Sequence, residues 1–561
     1  MIEYIIFVSS FYFLLLSVIG YGLIFQNLCF EKIKNFNDEN SIFIGFNGLF
    51  LITLISLITS LFVPHNFFHN LILHIIGIVF FIIYKAENKK KYLKYIILIS
   101  ILVFSAVLIS KTNDDLSYYH LSFTKYLTEQ KIIFGMGHLS HGYNLLSSLF
   151  FLNSTFYLPF INFFSFHFSL IFFLIFFNFF VIREIILIKN DELIRFLYLF
   201  AFVFFNLSFN RLAEYGTDKA GQLLVVILII KLLHYLNLNK NKFNLNILFL
   251  IPLFGYCISL KTYFLSYLIL GVLILFLNSK LVESIRNIFV SKSFLFFLVL
   301  LIFYFSHHFI STGCLISPLP FTCLGDTLIW GREKNDIINL SIWLEQWAKA
   351  GAGPNFRVEN VKEYIENFNW ISNWIDRYFV GKFLDQLGIL FSTFILIFLI
   401  FKNFKTELNK KFSYRNFTLI YSLIFIIFFV WLISHPTLRY GGYSVVFLVI
   451  SLPISLLFYF FQSKKISGRK LIFVILFVTI LFNLKNITRI HKEFNSNDIF
   501  RFENFPYYFI KEKNFETHTF ESGLRIYQTH HCWATPTPCG HVDNKTFVKK
   551  KNGYYFIGKY K

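Results

Sequence analysis

Apolar runs long enough to cross a lipid bilayer recur from one end of this chain to the other. Runs of roughly 16–22 apolar residues fit a hydrocarbon core of about 30 Å, and we count about fourteen of them in the sequence. Of the 561 residues, 56% are hydrophobic and only 15% are charged, so an ordinary soluble protein is excluded. The sequence therefore predicts an all-α polytopic membrane protein with about fourteen transmembrane helices.

The net charge of +21 is unevenly distributed along the chain. Basic residues gather in short loops between apolar runs, at 85–94, 402–415 and 464–470, which is the positive-inside pattern of cytoplasmic loops. A nucleic-acid-binding protein would instead carry this charge on one face of a folded domain, so we expect no nucleic-acid partner. Alternation of the runs from these basic loops places the other polar segments outside.

This topology divides the chain into two expected parts. Residues 1–485 form a polytopic domain with external loops at 111–158 and 312–383, and residues 486–561 form a small external C-terminal segment. The basic loop that ends at Lys94 leads into the fourth apolar run, at about 95–110, which runs outward. Every motif-like polar segment then falls on the external side.

The positions of the cysteines along the chain agree with this assignment of external segments. Four of the six lie in external segments as two close pairs, Cys314 with Cys323 and Cys532 with Cys539. Paired cysteines on an exported face predict disulfides. Two alternatives stay open, namely the crossed pairings and a zinc site that uses a neighbouring histidine.

The segment at 111–144 follows directly on an apolar run and falls on the expected external side. It holds a candidate catalytic set and two candidate substrate-binding tyrosines: Asp114, Asp115, His120, Tyr118 and Tyr119. Adjacent carboxylates can hold a divalent metal, or one can act as a base while the other tunes its pKa. The alternative is a helix cap, since Asp and Asn are favoured at that position. The tyrosines and the histidine favour the chemical interpretation.

Further external segments supply four more candidate substrate-binding residues: Glu214, Asp218, Lys261 and Arg439. Glu214 and Asp218 belong either to a loop with compensated charges or to the same acidic site. Lys261 lies between two apolar runs, where an ionisable group is costly and is a functional candidate by default. The alternative is that its side chain snorkels to the lipid headgroups. Arg439, in HPTLRYGGY, suits a lipid phosphate.

The chain resembles the GT-C superfamily of polytopic glycosyltransferases, which use polyprenyl-phosphate-linked sugars. The matching segments are DDLSYYHLSFTKYL, RLAEYGTDKAGQ, SLKTYF, STGCLISPLPFTC, HPTLRYGGY and HCWATPTPC. More closely, it looks like a family of uncharacterised bacterial multi-spanning proteins with a GT-C-like layout. One departure is that about three apolar runs precede the acidic loop, whereas that loop follows the first span in typical GT-C enzymes.

The resemblance implies sugar transfer from a polyprenyl-phosphate carrier to a cell-envelope acceptor, at the periplasmic face of a bacterial inner membrane. Asp114 or Asp115 would then act as the base or hold a divalent metal as a cofactor. Lys261 and Arg439 would contact the donor phosphate by their chemistry. A transporter or flippase and a non-catalytic component of polysaccharide assembly are the alternatives. The transporter ranks second, because few charges are expected deep in the spans.

Overall fold

A computed structural model describes residues 2–30, 32–108, 115–188, 191–214, 216–238, 245–271, 281–353, 355–401, 414–461, 467–496 and 514–560. Most of these residues are helical, which confirms the all-α polytopic class. The longer helices are Ile2–Cys29, Ile44–Thr59, Phe67–Ile83, Lys89–Leu102, Phe168–Leu187, Glu192–Ser208, Asp218–Leu238, Leu250–Leu260, Lys292–Thr312, Lys334–Ala348, Leu384–Phe401, Tyr414–Ser434, Tyr443–Phe461 and Gly468–Ser496. Shorter helices are Leu121–Glu129, Ser148–Ser154, Leu281–Phe289, Val361–Ile365 and Ile371–Trp374.

Nine helices among the described residues are long and apolar enough to cross a membrane. They are Ile2–Cys29, Glu39–Thr59, Phe163–Leu187, Asp218–Asn237, Lys292–Thr312, Ile371–Phe401, Arg415–Ser434, Leu438–Phe460 and Gly468–Asn495. Three shorter apolar helices are Phe67–Ile83, Asn246–Leu260 and Thr262–Gly271. The chain therefore has a multi-pass architecture, while the count of about fourteen spans stays a prediction.

The helix Asp218–Leu238 lies at the centre of the bundle. Its apolar span is 94% buried, whereas the spans in Lys292–Thr312 and Gly468–Asn495 are only 28% buried. The outer helices expose large apolar side chains: Ile302, Phe391, Ile395, Ile433 and Ile480. Such faces suit contact with lipid, because hydrocarbon does not penalise exposed apolar surface as water does.

Helix ends follow local capping chemistry. Asn66, Asp191 and Ser291 each accept a hydrogen bond from a backbone N–H in the first turn of the helix that follows. The predicted basic loop at 85–94 is shorter in the structure, because the helix Lys89–Leu102 begins inside it. Lysine is a good helix former and its charge stays exposed at such an end, so a basic run does not by itself stop a helix.

Strands are confined to polar segments. In the C-terminal segment, Glu516–Thr519 pairs with Arg525–Gln528, and Thr546–Lys551 pairs with Tyr554–Lys559, both antiparallel. The backbone of Phe134 donates to Tyr555 O at 2.9 Å and accepts from Ile557 N at 2.9 Å. A third pair of strands is Ala352–Gly353 with Phe356–Arg357. The C-terminal segment is thus hydrogen-bonded to the polar segment that follows the fourth helix.

Both predicted disulfides are confirmed. Cys314 bonds to Cys323, and Cys532 bonds to Cys539. The crossed pairings are therefore not formed. Within the described residues, no group of three or more His, Cys, Asp or Glu side chains could hold a metal ion, so the zinc alternative has no site there.

Candidate functional site

Four charged side chains from four separate segments form a continuous ion-pair network. Arg439 Nη2 contacts a carboxylate oxygen of Asp115, and Arg439 Nε lies 2.8 Å from Asp218 Oδ2. Lys261 Nζ lies 2.5 Å from the other oxygen of Asp218. We call Asp115, Arg439, Asp218 and Lys261 the charge network. When ionised, it contains two charges of each sign and is neutral overall.

Asp218 is the centre of the network and is the first residue of the central helix. Its side chain is only 7% exposed and each carboxylate oxygen faces a different cation. The amino end of a helix favours a negative charge, because backbone N–H groups there lack helical partners. One turn later, Gln222 Nε2 donates to Asp218 O at 3.0 Å and to Leu438 O at 3.1 Å. The helix is thereby tied to the segment that carries Arg439.

Arg439 is held by an irregular turn, Leu438–Gly442, before the helix Tyr443–Phe461. Gly441 adopts φ 83°, a conformation that favours glycine. The N–H of Leu438 donates to the Tyr378 hydroxyl at 2.7 Å. The Arg439 guanidinium also lies 5.4 Å from the ring centroid of Trp347, within the range of a cation–π contact.

Lys261 directly follows the helix Leu250–Leu260, and its backbone is extended rather than helical. Its ammonium lies 5.2 Å from the ring centroid of Tyr440. The ion pair with Asp218 and the tyrosine ring compensate part of the cost of placing a cation there. Lys261 therefore points into the protein rather than snorkelling to headgroups.

Asp115 lies immediately before the helical turn Leu116–His120. Burial raises the pKa of its carboxyl, but the Arg439 guanidinium and, to a smaller extent, His120 lower it more. The net pKa lies below the usual value of 3.8, so the carboxylate is ionised at neutral pH. The neighbouring Tyr119 is buried, which raises the pKa of its hydroxyl and keeps it protonated.

A cavity of about 250 Å³ adjoins the network. Lys261, Tyr119 and Tyr440 line it on the side of the network, and the apolar residues Leu145 and Leu344 form part of the remaining wall. A cavity with apolar walls and a few convergent polar groups is the usual form of a small-molecule site. Lys261 is the network residue that faces it, because Asp115, Asp218 and Arg439 lie outside its lining.

The described residues do not fit a divalent metal. Asp218 is engaged by two cations, and the carboxylate of Asp115 lies against Arg439. A metal ion at these oxygens would be repelled by the bound guanidinium and ammonium groups. Asp114, the other predicted ligand, lies outside the described residues.

Three predicted site residues belong neither to the charge network nor to the cavity lining. The ring of Tyr118 is 4.1 Å from that of His531 in the C-terminal segment, and His120 is buried with its ring 5.2 Å from that of Phe150. Glu214 pairs with Arg211 at 2.6 Å and with Arg489 at 3.2 Å. None of the three lines the cavity. Of the two alternatives for Glu214, these ion pairs favour a loop with compensated charges, and the helix begins only at Asp218.

Sequence reasoning missed a second charged cluster on the central helix. Lys231 is fully buried, with its ammonium 2.7 Å from Glu184 Oε2 and in contact with Glu39. The expectation of few deep charges overlooked this lysine, although its position in an apolar run was the available signal. It also missed His308 and Tyr440, which line the cavity. The sequence signal for His308 was its place in a pair of histidines at the end of an apolar run. The signal for Tyr440 was its position next to Arg439.

A protein-family model described as "Domain of unknown function (DUF8201)" matches residues 4–447. The matched range includes Asp115, Asp218, Lys261 and Arg439, and therefore the whole charge network. No curated protein matches the chain, and no solved structure matches it. Because the match covers well over half of the 561 residues, the chain belongs to the DUF8201 family.

Proposed function

We propose that this protein is a membrane glycosyltransferase that moves a sugar from a polyprenyl-phosphate carrier to a hydroxyl group of a cell-envelope acceptor. The supporting observation is the charge network beside a partly apolar cavity, with Lys261 facing that cavity. This arrangement offers a cation for a phosphate and a carboxylate for a proton. The GT-C-like order of motifs supports the same reaction class.

Lys261 is the group for the donor phosphate. A phosphate that leaves with the electron pair of the broken C–O bond gains negative charge, and a preorganised ammonium stabilises that charge. Asp218 and Tyr440 hold the ammonium at the cavity wall. Arg439 in turn keeps Asp218 and Asp115 in place by bridging their carboxylates.

Asp115 is the group for the acceptor proton. The acceptor oxygen attacks the anomeric carbon, the bond from that carbon to the phosphate oxygen breaks, and the hydroxyl proton passes to the Asp115 carboxylate. Its side chain is 25% exposed, which leaves room for an acceptor to approach. Its lowered pKa keeps it ionised at physiological pH, the state in which a carboxylate can accept a proton.

The site is proposed to face the periplasm of a bacterial inner membrane, within a topology of about fourteen spans. The strongly basic loops at 85–94, 402–415 and 464–470 support this orientation, because the alternation of spans puts them on the side away from the network. Two disulfides in the polar segments also suit an oxidising compartment.

A transporter or flippase is the second candidate, and Lys231 is the observation that favours it. An ionisable cluster buried inside transmembrane helices is costly and often marks a transport pathway. Glu184 and Glu39 supply two carboxylates for one ammonium there. A structural ion pair is the simpler explanation of this cluster, so glycosyl transfer stays the primary proposal. A non-catalytic role in polysaccharide assembly would not depend on the charge network or on the Lys231 cluster.

The test uses the purified full chain in lipid vesicles with labelled polyprenyl-phosphate hexoses and cell-envelope fractions as acceptors. We expect label transfer by the wild type and its loss in Asp115→Asn and Lys261→Gln, while Glu214→Gln, outside the network, retains transfer. Transfer at the wild-type rate by both network variants would overturn the assignment. Movement of the lipid-linked hexose across the vesicle membrane without transfer would favour the flippase.

A further inference from the structure

The cavity beside Lys261 contains buried polar atoms that the described residues leave without hydrogen-bond partners. Both ring nitrogens of His308 and the hydroxyl of Ser317 are in this state. The two residues are 1% and 2% exposed, and both line the cavity. Buried polar groups in native proteins are nearly always paired, so such atoms in a cavity wall indicate a polar occupant.

Both residues are held in position by their surroundings. The ring of His308 lies edge-on to Tyr304, with centroids 4.8 Å apart, and Tyr304 contacts the hydroxyl of Thr262 at 3.1 Å. Ser317 belongs to the loop that the Cys314–Cys323 disulfide closes. In that loop, the N–H of Ile316 donates to Thr322 Oγ1 at 3.1 Å. Preorganised groups of this kind lose little entropy when they bind a ligand.

The chemistry of these groups favours a neutral portion of a ligand that is rich in hydroxyl groups. A neutral imidazole has one donor and one acceptor nitrogen, and a serine hydroxyl is both donor and acceptor. Among the described residues that line the cavity there is no carboxylate, and the lysine there, Lys261, belongs to the charge network. The cavity volume of about 250 Å³ lies just below the range of about 300–1,000 Å³ that is usual for small-molecule sites. This is a suitable size for one sugar ring rather than an oligosaccharide.

We infer that His308 and Ser317 bind hydroxyl groups of a single pyranose ring, whose phosphate lies at Lys261. This inference rests on the proposed function and adds the place and the residues of sugar recognition. The rings of Tyr119, Tyr263 and Tyr440 provide aromatic wall against which the apolar face of such a ring packs. The sugar displaces water from the two side chains and replaces its hydrogen bonds.

The inference is tested by measuring the affinity of the purified full chain for two lipids: a polyprenyl phosphate and the same lipid carrying a hexose. The wild type should bind the hexosyl lipid more tightly. His308→Phe keeps a ring against Tyr304 but removes both nitrogens, and it should reduce this preference about tenfold. Its affinity for the bare lipid phosphate should stay within about twofold. Lys261→Gln should weaken binding of both lipids.

Serine variants provide a matched control. Ser317→Ala should reduce the hexose preference, whereas Ser293→Ala should not, because Ser293 is a buried serine on the His308 helix that lies outside the cavity lining. An unchanged preference in both His308→Phe and Ser317→Ala would overturn the inference, as would a wild type with no preference. A preference that depends on His308, without transfer to any acceptor, would instead overturn glycosyl transfer and leave the sugar site intact.

Discussion

Asp115 and Arg439 lie 324 residues apart in the chain, yet their side chains form an ion pair. Arg439 also contacts Asp218, so one guanidinium joins the start of the central helix to the segment after the fourth helix. The planar group of arginine can engage two carboxylates at once. The position of Asp115 therefore depends on Arg439, and through it on Asp218.

Arg439→Lys should test this bridge. A lysine ammonium is a single point charge on a flexible stem and cannot hold both carboxylates in the same geometry. We expect glycosyl transfer to fall by about 100-fold, because a small displacement of a reacting group has this effect. Arg211→Lys, in an exposed pair with Glu214, should change the rate less than about twofold. Equal losses in the two variants would show that the bridge has no special role.

Gly441→Ala should disturb the cavity wall through Tyr263. A Cβ atom at this glycine would lie 2.3 Å from Cε1 of Tyr263, and the backbone has φ 83°. We expect a loss of about 2 kcal/mol in the free energy of unfolding, together with weaker binding of the hexosyl lipid. Thermal unfolding in detergent measures the first effect. Gly388→Ala, in open space on a peripheral helix, should be neutral or slightly stabilising.

Sequence reasoning identified the members of the charge network but not their contacts. Lys261 stood out because it lies between two apolar runs. Asp218 stood out as an acid in a polar segment, and Arg439 as a cation in a motif that suits a phosphate. Their convergence depends on how the helices pack, and separations of 43 and 221 residues carry no local signal of it. For Glu214 the sequence left open a compensated loop or the acidic site, and its ion pairs with Arg211 and Arg489 favour the loop.

The cavity was harder to predict. His308 lies near the end of an apolar helix, where a histidine is usually a structural residue hydrogen-bonded to a neighbour. Its neighbour His307 fits that expectation, with Nε2 2.8 Å from Leu57 O. Only tertiary packing distinguishes the two histidines, because it places His307 against Leu57 and His308 in the cavity wall. The disulfides, in contrast, were predictable, because cysteines that stand in close pairs along the chain need little tertiary information.

The C-terminal disulfide loop should support the segment that carries Asp115. The N–H of Trp533 donates to Ser117 O at 3.0 Å, and the Tyr143 hydroxyl donates to Cys539 O at 2.8 Å. Cys532→Ser should lower the free energy of unfolding by about 2–3 kcal/mol and reduce transfer several-fold. Cys29→Ser, which removes a free cysteine, should leave both unchanged. Limited proteolysis measures release of the loop, and unchanged cleavage in Cys532→Ser would contradict this role.

The pH dependence of stability should reveal the ionised state of Asp115. Its pKa in the folded protein is lower than 3.8, since the Arg439 guanidinium outweighs the effect of burial. A carboxyl with a lowered folded pKa stabilises the fold fully above its unfolded pKa and loses that contribution as the pH falls through the folded value. Asp115→Asn removes this titration while keeping the shape of the side chain.

We therefore expect the wild type to be more stable than Asp115→Asn by a constant amount, about 1 kcal/mol, from pH 7 to about pH 5. The difference should shrink as the pH falls below about 4, because the unfolded carboxyl then binds protons before the folded one does. Denaturant unfolding in detergent at several pH values measures it. A difference that changes in favour of the wild type as the pH falls from about 7 to 5 would mean that the pKa of Asp115 is raised, because the folded carboxyl would then bind protons before the unfolded one. In that case burial would outweigh Arg439, and the ion pair would not hold Asp115 as the ionised base that the proposed reaction needs.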